Sequence, residues 1–163
     1  MEISGAGLAV TVALGAAGAF GVYKLLEHDA PSGIEEAARS NFSPRDTSAA
    51  IRMAQDSGRG ADFIIGSMNV IGRDFSDQHK LGVLRDTLDS TKDLHFVQTV
   101  FDAGATTFSD GDKPIAAEDA LFSQGISAEQ IAAMYLNDIK YDLPDHRKIP
   151  YEQRVLGRGR DGR

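Results

Sequence analysis

Four histidines, His28, His79, His95 and His146, are the side chains of this chain best suited to move protons or ligate a metal near neutral pH. No two of them stand three or four residues apart, so no helical metal pair exists. Asp77 and Asp93 each precede a histidine by two positions. Neighbours at that spacing point about 200° apart on a helix, which rules out a preformed acid–base dyad. All four are read as structural. Ser109-Asp110-Gly111-Asp112 begins like a calcium loop, but Pro114, Ile115 and Leu121 stand where that loop needs an oxygen ligand, a glycine and a glutamate. The Asp110–Asp112 turn is therefore expected to open a helix, and no metal is expected. Without cysteine, thiolate metal sites, disulfides and cysteine nucleophiles are excluded. No P-loop, Gly-x-Ser-x-Gly elbow or His-Glu-x-x-His is present. The expectation is a protein that is not an enzyme and needs no cofactor.

Phe96 to Gly104 (FVQTVFDAG) resembles the Phe-x-x-Asn-x-Gly segment of some phage lysozymes, which also begin with a weakly hydrophobic Gly/Ala-rich anchor. Asp102 replaces the asparagine, and no glutamate with Asp and Thr partners is found around Glu27, Glu35 or Glu36. The resemblance fails at its catalytic positions. A membrane-tethered hydrolase built from dispersed carboxylates remains the catalytic alternative.

The elements that would position any site begin with an unusual segment. Ile3 to Tyr23 is a run of 21 uncharged residues. As a helix it would be roughly 31 Å long, the thickness of a hydrocarbon core. Tyr23 and Lys24 close it as an interfacial aromatic and a snorkelling cation. Residues 1–26 are thus read as a single transmembrane anchor helix. Ala9, Ala13, Ala17 and Gly21 recur every fourth residue, with Gly15 and Ala19 on the adjacent row, the pattern that lets helix backbones approach closely in lipid. The expected partners are the bilayer and other transmembrane helices, from a second copy or another subunit. Lys24 and Arg39 follow the span and no base precedes it, which places the C-terminal domain on the cytoplasmic or equivalent side. The competing reading is a signal peptide cleaved near Ala19, giving an exported soluble helical binding protein. Glu2 stands where a signal would carry basic residues.

Residues 27–33 read as a hinge broken by Pro31 and Gly33, and 34–146 as a helical domain. Ser43-Pro44-Arg45-Asp46 should open a helix ending near Asp56. Residues 61–72 bring Ile64, Ile65, Met68 and Ile71 to one face, weakened by Gly66. Ser76 should cap a helix burying Leu81, Leu84 and Leu88. Ser90 or Thr91 should start the next, with Leu94, Val97, Val100 and Phe101 inward and Gly104 as its stop. Asp112-Lys113-Pro114 opens a short helix ending near Gly125. Ser127-Ala128-Glu129-Gln130 is a capping box, stapled by Ile126 and Ile131 and continued by Met134, Tyr135 and Ile139. No run alternates as a half-buried strand would. The fold class is all-α: an anchor helix, a bundle of five or six short helices, and an extended basic tail over 147–163.

Charge is uneven along the chain of net −7. Residues 93–145 carry 10 acids and 2 bases, whereas 147–163 carry 6 bases and 2 acids. Arg147, Lys148, Arg154, Arg158, Arg160 and Arg163 are the expected electrostatic contacts of the tail, with an acidic protein surface as partner. Lacking interleaved aromatics, this tail is a poor nucleic-acid signature, and no nucleic acid is expected. The sum is a non-catalytic, single-pass membrane-anchored structural or accessory subunit. Its host would be a larger assembly, such as a virion membrane–capsid linker or an accessory subunit of a membrane complex.

Overall fold

The computed structural model describes residues 32–157. By internal contacts the chain divides between Gly33 and Ile34, and the second unit is the helical body. The expected anchor at 1–26 lies outside the described residues, as does 27–31 of the expected hinge. Ser32 and Gly33, assigned to that hinge, are helical instead. Among the described residues no helix is long and apolar enough to cross a membrane.

The body is all-α, with no strand among the described residues. Helix α1 covers 32–41, followed by α2 (Thr47–Asp56), α3 (Ala61–Asp74), α4 (Asp77–Asp89) and α5 (Leu94–Thr107). Then come α6 (Lys113–Leu121), α7 (Ala128–Ala133), a π-helical segment (Met134–Ile139), α8 (Lys140–Asp142) and α9 (Asp145–Val155). Helix α5 is the hub, packing on α3, α6, α7 and the π segment. Its composition explains the role, because Phe96, Val97, Val100, Phe101, Ala103 and Gly104 are all buried on it. Ile64, Met68 and Ile71 of α3 and Leu84 and Leu88 of α4 complete the apolar centre, where Phe75 meets Phe101 edge to face at 5.1 Å.

Several helix starts follow the sequence. The Ser43 hydroxyl accepts from the Asp46 amide at 3.3 Å and donates to the Asp46 carboxylate at 2.8 Å. The regular helix begins one residue later, at Thr47. The capping box at Ser127 and Gln130 is complete, with bonds of 3.2 and 2.9 Å. Other starts differ. Helix α5 is capped by Asp93, which accepts from the Phe96 amide at 2.8 Å, and not by Ser90 or Thr91. Ser76 occupies the N-cap of α4, yet its buried hydroxyl makes no hydrogen bond among the described residues. Gly104 does not stop α5, which continues to Thr107. This glycine is buried in the last turn of α5 with helical backbone, and its carbonyl accepts from the Phe108 amide at 3.0 Å.

Two glycines matter through close approach. A Cβ on Gly66 would lie 2.6 Å from Leu94, and one on Gly72 would lie 2.1 Å from the Asn41 side chain. Gly66 is therefore where α3 admits Leu94, beyond being a weak helix former. Gly72 admits Asn41, whose amide donates to the Ala37 carbonyl and to Asn69, tying α1 to α3.

The largest correction concerns the tail. Residues 145–155 form α9, not an extended segment, and Pro144 is its N-cap. Helix α9 packs on α6 and the π segment. The 3.6-residue pattern is hidden because the residues it turns inward are Lys148 and Glu152, which pattern reading assigns to solvent.

Candidate functional site

Two features of the body gather polar side chains from distant parts of the chain. The first is a set of cations on helix ends. The last carbonyls of a helix lack internal partners and carry partial negative charge. Lys113 reaches the Asp74 carbonyl ending α3 at 3.3 Å, and Arg59 reaches the Ser90 carbonyl after α4 at 2.8 Å and that of Lys92. Lys92 in turn reaches the Ser123 carbonyl beyond α6 at 2.8 Å, and Lys148 reaches the Thr107 carbonyl ending α5 at 3.0 Å. Two of these charged heads also lie over aromatic rings, the Arg59 guanidinium at 3.7 Å from the centre of Phe63 and the Lys92 ammonium at 4.4 Å from that of Phe96. An acidic chain thus commits cations to holding its own loops.

The second feature is a buried polar cluster. Tyr135, on the π segment, is 1 % exposed and packs edge to face on Phe108 at 4.8 Å. Its hydroxyl lies 3.1 Å from both the Ala116 carbonyl of α6 and the Glu152 carboxylate of α9, to which it donates. Burial pushes the Tyr135 phenol well above its ordinary pKa, with the Glu152 and Asp119 carboxylates adding to it. Tyr135 and Ala116 also line a cavity with Phe75, Val100, Phe101 and Lys113. It has room for about one water. That is too little for a substrate, so the cluster's evident work is to join α6, the π segment and α9.

The surface carries lighter links. His95 at the start of α5 and Glu129 at the start of α7 meet at 2.6 Å, each about two-thirds exposed. The hydrogen bond to Glu129 raises the His95 pKa, and the same bond lowers that of Glu129. Arg73 pairs with Asp74 at 2.9 Å and also with Asp102 of α5. Asp145 is held below its ordinary pKa by Lys148 at 2.7 Å.

The sequence-predicted sites fall as follows. Ala9, Ala13, Gly15, Ala17, Ala19, Gly21, Tyr23 and Lys24 lie outside the described residues, as do His28, Arg158, Arg160 and Arg163. Arg147 and Arg154 are exposed on α9. Lys148 is a correction within the basic tail: it is buried and bonded inside the body, so it does not face an external partner. His79 lies beside Gln78 at 3.1 Å, and His146 is exposed. In the Ser109–Asp112 turn the serine donates to Asp112 at 3.0 Å as α6 begins. Among the described residues no group of three or more His, Asp or Glu side chains could hold a metal ion. Pattern reading missed the Tyr135–Glu152 bond and the four capping cations. One signal was available: Glu152 lies four residues after Lys148 and eight before Arg160, in a segment whose charges repeat at helical spacing. Compared with protein-family models, curated proteins and solved structures, the chain matches none.

Proposed function

We propose that this protein is a non-catalytic, single-pass membrane-anchored accessory subunit of a larger membrane-associated assembly. The carrying observation is the run of 21 uncharged residues from Ile3 to Tyr23, bounded by Tyr23 and Lys24. No helix among the described residues offers another route across a bilayer. In this reading the small-residue rows Ala9–Ala13–Ala17–Gly21 and Gly15–Ala19 seat the span against other transmembrane helices. The helical body docks to partner subunits, and Arg147, Arg154 and the arginines beyond them meet an acidic protein surface. The body sits on the cytoplasmic or equivalent side.

The test is solubilisation of the native source in mild detergent, with intact mass and co-purifying partners as readouts. A mass that retains residues 1–23, from a protein extracted only by detergent, supports the anchor. A chain cleaved near Ala19 and free in aqueous buffer overturns it in favour of an exported binding protein, the reading that Ala17-Gly18-Ala19 would serve. Replacing Ala13 and Ala17 together by Leu keeps the span apolar but adds bulk, so membrane retention persists while partner recovery falls severalfold. Unchanged recovery removes the packing role.

A further inference from the structure

We propose that α9 is a releasable strap: the C-terminal helix leaves the bundle and unwinds while α3 to α7 stay folded. The inference does not depend on the anchoring role. It stands first on the composition of the buried face of α9. Its buried residues are Lys148 and Glu152, at 9 % and 0 % exposure, where a permanent core contact would use apolar side chains. Leu156 is buried just beyond the helix, whereas Val155 is 43 % exposed. Ile149 and Tyr151 are only partly buried against the core, so Leu156 is the one fully buried apolar side chain released, and the two ionisable groups regain hydration that offsets the loss of their bonds.

The helix is also weak in itself. Pro150 sits in its middle, where proline supplies no amide to the carbonyl four residues earlier and crowds it. A helix of 11 residues with an interior proline does not persist once separated from its seat, so release and unwinding are one event. A joint precedes the helix. Leu143 and Pro144 are both extended, breaking the helical backbone between α8 and α9. The attachments beyond that joint are the bonds of Lys148 to the Thr107 carbonyl and of Glu152 to the Tyr135 hydroxyl, with the buried Leu156 and the partly buried Ile149 and Tyr151 packed on the core. Release uncovers the Tyr135 hydroxyl and the Ala116 carbonyl at the edge of the small cavity, together with the carbonyl that ends α5.

Hydrogen exchange followed by mass spectrometry on the full chain tests this, comparing peptides over 145–157 with peptides over 94–107. The α9 amides should exchange at least about tenfold faster than those of α5, since local opening costs less than global unfolding. Pro150→Ala should slow α9 exchange by about tenfold and leave α5 unchanged, because it restores a missing backbone bond. A common exchange rate for α9 and α5 overturns the strap, and so does a Pro150→Ala protein whose α9 exchanges no more slowly than the parent.

Discussion

His95 and Glu129 meet on the surface, and Tyr135 and Glu152 meet in the core; both pairs tie helices far apart in sequence. The surface pair has the shorter contact, 2.6 against 3.1 Å, and joins two groups of opposite charge when the histidine is protonated. Distance would rank it the stronger. Burial reverses the order. Water competes for both members of the surface pair and screens them, so little is lost when the pair opens. In the core, removing one partner breaks a bond that no solvent can replace, and a desolvation cost appears. Links of similar geometry therefore differ in worth because of what surrounds them.

The sharpest way to break that comparison is Tyr135→Phe. It should lower stability by about 1–3 kcal/mol in urea unfolding, the cost of losing a buried hydrogen bond to a charged group. A loss no larger than that of a surface variant would equate the two regions. The same variant carries a pH signature. Because the folded phenol titrates well above its unfolded value, the stability it lends is complete below about pH 10 and is lost as pH rises beyond it. Alkaline unfolding should be less steep in Tyr135→Phe, followed by circular dichroism.

An intermediate effect is expected at Ser127, whose hydroxyl accepts a bond at the exposed start of α7. Ser127→Ala should cost about 1 kcal/mol in the same unfolding assay. The smallest effect belongs to His95→Gln. The folded His95 pKa is raised, so its contribution is present below the ordinary histidine range and lost as pH climbs through the raised value. The lowered pKa of Glu129 sets the other edge, with stability lost as pH falls through the carboxylate range. The variant should match the parent at pH 8 and fall slightly below it only between those edges, read as a difference in thermal midpoint. A deficit at pH 8 as large as that of Tyr135→Phe would show that the surface pair is not the exposed, screened contact described above.

Much of the body was legible in the sequence. The Ser43 and Ser127 caps, the end of α2 at Asp56, and the inward faces of α3 and α7 follow from local hydrogen-bond chemistry and the 3.6-residue period. Leu81 and Ile65 were placed on inward faces and are only half-buried, while Val83 and Val70 are buried instead. That shift of a residue or two arises because a short helix turns to meet its neighbours. The C-terminal helix was missed for a different reason. Its inward residues are charged, and no rule about polar side chains reveals that a carbonyl and a hydroxyl wait for them 17 to 41 residues away in the chain.

Sequence alone determined the all-α class of the body, most helix limits and the charge-free opening segment, because propensity, caps and periodicity act within one or two turns. Only the tertiary structure decided which cations cap which helix ends, that Gly66 and Gly72 admit Leu94 and Asn41, and that Tyr135 holds Glu152 out of water. Those facts depend on distances between segments, and a polar side chain reads the same in a sequence whether its partner is solvent or a buried atom brought to it by the fold.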